Sequence, residues 1–345
     1  MNKTLVIAEA GVNHNGSLAL AKELIDAAAA AGADYVKFQT FVAKSMITGS
    51  APKARYQEER AGGAPESQLE MVQRLEIRYA DHAELLEHAQ AHGIGFASTA
   101  FDGASVDFLH TLGVDFFKVP SGEVTNLPLL RKIGATGLPI LLSTGMCTMP
   151  EVAEALSILR ASSSSDAPIR VLHCNTQYPT PMEDVNLLAM GAMAEALGVP
   201  VGYSDHTLGI EVPIAAVALG ATVIEKHFTL DRTMPGPDHA ASLEPGELTA
   251  MVRGIRNIER ALGRAEKFPS PSEEANRAVV RRSLVASRAI SQGDVFTEDN
   301  LTTKRPGTGV SPMHWDEALG SRASRDYCVD EFIESADVFG ESGPL

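Results

Sequence analysis

His206 and His227 are the two side chains of this sequence best placed to share an ion. Each ends a short β-branched run, VPVGYSD before the first and ATVIEKH for the second, and the two runs are consecutive. Neighbouring strands bring two such imidazoles within reach of one cation, and two protein ligands leave positions open for water and substrate. That donor set suits a loosely held divalent ion, Mn²⁺ or Mg²⁺, better than closed structural zinc. Other short runs end in polar groups too: Glu9; Lys37 with Gln39; Ser98 with Thr99; Lys118 with Ser121; Ser143 with Thr144; Asn175 with Thr176; Ser204 before His206; Glu225 before His227. Strand side chains alternate faces, so Lys37/Gln39, Ser204/His206 and Glu225/His227 are co-facial pairs. A single Ser or Thr in such a set most simply fills a sheet layer or caps a helix. Two lysines, two histidines and two glutamates together are costly to bury unless paired or functional.

Lys118, Ser121, Thr99, Ser143 and Ser204 make a set of donors for a phosphate or another oxyanion without a P-loop. The chain carries 29 basic and 44 acidic side chains, a formal charge of −15, so long-range steering opposes an anionic ligand. The ion and the lysines must supply the positive potential locally. The chemistry so defined is metal-assisted conversion of a small phosphorylated or carboxylated compound. His82, His88, His92 and His110 fall on helical stretches and read as solvated; His14, His173 and His239 adjoin the site motifs and read as loop braces.

These residues need a scaffold that collects strand ends. Strand-like runs occur at Leu5 to Gly11, Tyr35 to Thr40, Gly95 to Ala100, Phe116 to Ser121, Pro139 to Gly145, Ile169 to Asn175, Val199 to Asp205 and Ala221 to His227. Between most of them lies one Ala/Leu-rich helical stretch ending in Gly or Pro, as from Ser17 to Ala31. Eight strands, seven crossovers and a closing helix from about Pro245 to Leu262 predict an α/β fold, a (β/α)8 TIM barrel whose active site lies at the C-terminal strand ends. An open doubly wound sheet is the competitor, but GVNHNG after the first strand does not fit GxGxxG. The Phe41 to Ala80 connection is too long for a βα loop and contains the helical stretch ESQLEMVQRLEI, so it reads as an active-site insertion. The expected division is a catalytic barrel over 1–266, a Pro/Ser/Glu linker over 267–281, and a small domain of short strands and turns over 282–345.

The composition, 44% hydrophobic and 21% charged over 345 residues, is globular. No apolar run approaches the ~18–20 residues that span a bilayer, and MNKTLVIAEA lacks a signal peptide's features, so the chain reads as cytoplasmic with no membrane partner. Three scattered cysteines, Cys147, Cys174 and Cys328, make neither a disulfide framework nor a CxxC metal site and read as reduced. No basic stripe is present for nucleic acid.

The motifs AEAGVNHNG, VKFQT, STAFD, FKVPSGE, LSTGM, LHCNTQYPTP, GYSDHTLG, EKHFTLD and MPGPDH occur in this order. Together with RRSLVA and KRPGTG they make a chain that resembles the sialic acid synthase family from about Leu5 to its end. The second pair resembles that family's C-terminal antifreeze-protein-like (SAF) domain. The resemblance implies condensation of phosphoenolpyruvate with an N-acetylated hexosamine aldehyde, giving a nine-carbon 3-deoxy-2-keto acid and phosphate. It implies that Lys118, Thr99, Ser121 and Ser143 hold the phosphate, with Lys37, Thr176 and Ser204 near the carboxylate. It further implies that His206 and His227 bind the metal that polarises the aldehyde. Glu9 would orient or deprotonate the water that adds at C2, its alternative being a cap or salt-bridge role. Gln39, Glu123, Tyr178 and Asp238 match positions that bond the sugar. Arg305 matches an arginine that the small domain delivers to the N-acetyl group across a domain-swapped homodimer. Thr176 departs from the family pattern, standing where Asn or Ser is frequent; it is shorter than Asn and cannot donate two N–H bonds.

The expected product is N-acetylneuraminate, from N-acetylmannosamine. The alternative is a legionaminic or pseudaminic-type acid, from a 6-deoxy diacetamido hexose, and the insertion does not choose between them. A barrel metallohydrolase is a different possibility, but the HxH expected after its first strand is absent. Ice or carbohydrate binding by the small domain is another; one Trp315 and a charged surface do not make a flat ice-binding face.

Overall fold

Each strand run carries apolar side chains on both faces at its start, so it is buried between two layers, and the layers it finds are helices outside and side chains inside. The computed structural model describes residues 3–49, 51 and 67–340. Eight parallel strands close a barrel in sequence order: β1 Leu5–Gly11, β2 Tyr35–Thr40, β3 Gly95–Ala100, β4 Phe117–Val119, β5 Ile140–Ser143, β6 Ile169–His173, β7 Val201–Asp205 and β8 Val223–His227, with β8 pairing back on β1. The (β/α)8 expectation is met. Strand β4 is shorter than Phe116 to Ser121 because Pro120 has no N–H for the ladder and Ser121–Glu123 turns into a 3₁₀ segment.

Alternation along the strands sorts the core. On β1, Val6, Ala8 and Ala10 face the helices and join the main cluster, whereas Ile7 joins a second cluster with Ala97, Phe116, Leu141, Leu172 and Val223. That second cluster plugs the barrel interior below the site. The next inward positions along the same strands are Glu9, Thr99, Lys118, Ser143, Cys174 and Glu225, so an apolar floor gives way to a polar mouth.

The helices α1 Leu18–Ala30 and α4 Tyr79–Ala91 flank β2 and β3. Helix α1 begins where the Ser17 side chain accepts the Leu20 N–H. In the long β2–α4 connection, the described residues form two short helices, α2 Ala43–Met46 and α3 Gln68–Gln73, the latter started by a Ser67/Glu70 capping box. Most of APKARYQ, and the first residue of the expected ESQLEMVQRLEI helix, lie outside the described residues. Helix α3 ends at Gln73, short of the expected Ile77. Helices α5 Gly103–Leu112, α6 Leu127–Gly134, α7 Met149–Ser162, α8 Ala189–Leu197 and α9 Glu211–Ala218 make the remaining crossovers, and α10 Pro245–Ala261 closes the ring. Among the described residues no helix is long and apolar enough to cross a membrane.

The chain divides into two compact units, Met1–Gly263 and Arg264–Leu345. The stretch expected to be a linker carries a helix, α11 Pro271–Val280, because Ser270 and Glu273 form a capping box around Pro271. The S-P-S-E pattern that specifies it is legible in the sequence. In the second unit β9 Ser283–Ala286 pairs antiparallel with β10 Leu301–Lys304 over a core of Leu284, Ile290, Phe296, Tyr327 and Ile333. All three cysteines are free thiols.

Candidate active site

The mouth of the barrel opens on a cavity of about 610 Å³. Of the residues expected in the site, Glu9, Lys37, Gln39, Thr99, Lys118, Ser121, Glu123, Ser143, Thr176, Tyr178, Ser204, His206, His227 and Asp238 all line it. Arg305 belongs to the second unit, where it is exposed. Ser98, named beside Thr99 at the end of its strand, points the other way. Its hydroxyl lies 2.6 Å from that of Thr40, which in turn lies 2.8 Å from His82 Nε2. His82 is therefore not solvated, as its helical position suggested, but fully buried behind the barrel wall. Burial lowers its pKa. His14, His173 and His239 do brace loops: through Gly16 N–H, the Val185 carbonyl and the Thr229 hydroxyl respectively.

The centre of the site is a buried charge lattice. Lys37 Nζ lies 2.5 Å from Glu9, 3.6 Å from Glu225 and 2.9 Å from Thr99 Oγ1. Lys118 Nζ lies 3.3 Å from Glu225, whose Oε1 also accepts the Ser204 hydroxyl at 2.9 Å. The two carboxyls respond differently. Burial raises Glu9 to about 7, with Lys37 pulling the other way and Glu225 adding to the rise. Burial also pushes Glu225 upward, but Lys118, Lys37 and the Ser204 hydrogen bond outweigh it and hold that carboxyl at about 2. One carboxyl is thus poised to exchange a proton near neutrality while its neighbour stays ionised.

Both histidines present neutral rings. Burial lowers His206 to about 4 and takes His227 well below its ordinary value, the nearby His206 adding to the effect. His206 Nδ1 donates to the Asn175 carbonyl, which leaves Nε2 with its lone pair, 2.9 Å from the Tyr178 hydroxyl. The two imidazoles lie 5.6 Å apart by ring centroids, and His227 Nδ1 is buried with no hydrogen-bond partner among the described residues. Neutral rings, one oriented by a backbone carbonyl and one with a buried nitrogen left unpaired, fit a divalent ion.

Elsewhere in the cavity the Ser143 hydroxyl is likewise buried without a partner among the described residues. Beside it Ser121 Oγ accepts the Gly145 N–H at 2.8 Å and lies 3.2 Å from Cys174 Sγ. A side chain at Gly145 would meet the Thr176 methyl at 2.6 Å, so this corner admits no Cβ. The departure at Thr176 therefore has a local consequence: its methyl packs against the Gly145 backbone.

Three features escaped the sequence reading. Glu225, one of the polar strand ends, is the acceptor common to Lys37, Lys118 and Ser204. Lys226 and Asp205, the outward-facing partners of the site residues, form a fully buried ion pair, and Lys226 also donates to the Thr207 carbonyl at 2.7 Å. The pair locks β8 to the end of β7, and the Thr207 bond ties it to the loop carrying His206. Third is the apolar character of the insertion, which reaches the active site as expected: Phe41, Met46, Met71, Val72 and Leu75 join Val12 as one wall of the cavity. Only alternation within EKH signals the first; nothing local signals the other two.

This is a barrel enzyme with a charged, metal-competent mouth. The NeuB family pattern matches residues 24–267 and the SAF domain pattern residues 281–338. The chain is 53% identical to the N,N'-diacetyllegionaminic acid synthase of Campylobacter jejuni, over 96% of this chain and 99% of that one. It is 49% identical to the enzyme of the same name from Legionella pneumophila, over 92% and 90% of the two chains. Among solved structures, the N-acetylneuraminic acid synthetase of Leptospira borgpetersenii superposes with a TM-score of 0.69 at 36% identity, covering 80% of this chain and 90% of that one. The chain belongs to the NeuB family and is a phosphoenolpyruvate-dependent nonulosonic acid synthase, a transferase that forms a carbon–carbon bond.

Proposed function

We propose that this enzyme condenses phosphoenolpyruvate with a 6-deoxy diacetamido hexose to give a legionaminic-type acid and phosphate. The choice of sugar rests on the 53% and 49% identities to two diacetyllegionaminic acid synthases; the expectation of N-acetylmannosamine gives way to it. The apolar wall of Val12, Phe41, Met46 and Leu75 supports the same choice, since it offers a dry surface to a C6 methyl where a hydroxymethyl would lose its water.

In this reading Lys118, Thr99, Ser121 and Ser143 receive the phosphate, the unpaired Ser143 hydroxyl among them. Lys37, Thr176 and Ser204 meet the carboxylate, while Gln39, Glu123, Tyr178 and Asp238 orient the sugar. His206 and His227 would hold a divalent ion, Mn²⁺ or Mg²⁺, which when bound would supply Lewis-acid activation of the aldehyde. The C2=C3 π pair of phosphoenolpyruvate forms the new bond from C3 to the aldehyde carbon as the C=O π pair passes to the aldehyde oxygen, which takes a proton and becomes a hydroxyl, leaving C2 electron-poor. Water then adds at C2, Glu9 orienting it or taking its proton. The resulting hemiketal phosphate breaks its C2–O bond, the electron pair leaving with phosphate as the ketone forms. Arg305 completes the sugar site from a second chain in a domain-swapped homodimer, and the enzyme works in the cytoplasm.

The test is phosphate release from phosphoenolpyruvate against a panel of hexosamines. A 2,4-diacetamido-2,4,6-trideoxyhexose should exceed N-acetylmannosamine in kcat/KM by about tenfold or more, the scale that one or two misplaced groups command. Preference for N-acetylmannosamine would overturn the choice of sugar; no phosphate release with any of them would overturn the condensation.

A further inference from the structure

On the outer helical ring, Asp26 of α1 faces His88 and His92 at the end of α4. His88 Nε2 lies 2.7 Å and His92 Nε2 3.3 Å from the same oxygen, Asp26 Oδ1. One ligand atom from each of the three lies within 4.8 Å of the other two. The histidines are one helical turn apart, so their rings share a face, with centroids 4.4 Å apart. The His92 Nδ1 lies 2.8 Å from the His88 carbonyl. A carbonyl only accepts, so the ring proton sits on Nδ1, and a neutral His92 turns the lone pair of Nε2 toward a carboxylate. Two lone pairs facing each other are stabilised by a cation between them, and a backbone carbonyl behind the ring is the usual orienting partner of a metal-bound histidine.

We infer that Asp26, His88 and His92 form a surface site for a borderline transition-metal ion, Zn²⁺ in the first instance. Two imidazoles and one carboxylate select such an ion over Mg²⁺ or Ca²⁺, which need more oxygen ligands. The ion takes the place of the proton that His88 shares with Asp26, the remaining His88 proton sitting on Nδ1. The side chains are 49%, 23% and 41% exposed in the order Asp26, His88, His92, so the ion can enter from solvent and keep water in its remaining position. The frame is already in place, because Lys22 of α1 and Glu84 of α4 pair one turn away. His92 precedes β3 by two residues, which puts the site at the N-terminal strand ends, on the side of the barrel away from the mouth. The ion would clamp α1 to α4 and stabilise the fold rather than join the reaction, so the inference does not depend on the proposed function.

Zinc stoichiometry and thermal shift of the metal-stripped full-length chain test it. Because zinc also suits His206 and His227, the variants are compared in parallel. Wild type should bind one equivalent more than His92→Ala; a zinc-dependent rise in Tm should persist in His227→Ala and vanish from that background when His88→Ala or Asp26→Asn is added. Affinity at this site should fall at least about tenfold in each of the three surface variants, while kcat with saturating Mn²⁺ stays unchanged. Equal stoichiometry and equal thermal shift in wild type and His92→Ala would overturn the assignment, as would loss of all zinc binding in His227→Ala.

Discussion

Glu9 and Glu225 share one lysine, Lys37, yet are driven to opposite ends of the carboxylate range. Burial takes Glu9 up to about 7, while Lys118, Lys37 and Ser204 overcome burial at Glu225 and hold it at about 2. Lys118 acts most strongly on Glu225, which the Ser204 hydroxyl also serves, whereas at Glu9 Lys118 acts only weakly and the Glu225 charge opposes ionisation. Glu9 is thereby the carboxyl able to accept a proton in the working pH range and return it.

Activity should rise with pH through about 7 if Glu9 acts as a base, since the ionised form is the one required. Glu9→Gln should remove that limb and lower kcat by about 10²–10⁴ with little change in KM. The same shift has a sign for stability. The folded state binds the Glu9 proton more tightly than the unfolded chain, so wild type loses stability relative to Glu9→Gln as pH climbs from 4.5 through about 7. A pH–rate profile on both proteins checks this; an unchanged kcat would leave Glu9 a structural role.

Chelation should abolish turnover and Mn²⁺ should restore it. Burial keeps His206 neutral down to about pH 4 and holds His227 well below its ordinary value, so proton competition at these two rings should not release the ion at pH 6. Full activity of His227→Ala in chelator would refute metal dependence.

Phosphoenolpyruvate labelled with ¹⁸O in its bridging position should deliver the label to phosphate if the donors around Ser143 hold the ester as a leaving group, as proposed. Label found only in the keto acid would mean attack at phosphorus.

Inactive Glu9→Gln and Arg305→Ala chains, mixed and allowed to exchange, should regain activity. If Arg305 serves the other barrel, one of the two sites escapes both lesions. Mixed dimers verified by two tags yet still inactive would exclude the swap.

Lys226→Met should destabilise the barrel by about 3–5 kcal/mol, the cost of leaving Asp205 buried and unpaired. The double variant with Asp205→Leu should recover most of the loss. Denaturant unfolding of the three chains measures it.

The sequence by itself determined the barrel and its mouth. Strand alternation depends only on neighbouring residues, so once the eight runs are recognised, Lys37, Gln39, Ser204, His206 and His227 must share an interior. The S-x-x-E pattern at Ser270 is equally local, and it was legible as a helix start inside what reads by composition as a linker. What required the tertiary structure was everything decided by which strands and helices meet. Ser98 and Thr99 are adjacent in sequence, but one bonds outward to Thr40 and the other inward to Lys37, because the pleat sends them to opposite layers. His82 looks like a surface helix residue until β2 and β3 close over it. Glu225 and Glu9 are equivalent letters at two strand ends; how near Lys118 and the Ser204 hydroxyl come separates a carboxyl near 7 from one near 2. Asp26 lies more than sixty residues from His88, and no periodicity links them. Charge–charge and charge–solvent energies depend on distance and burial, which chain order does not encode, and so the chemistry of these groups was settled by packing.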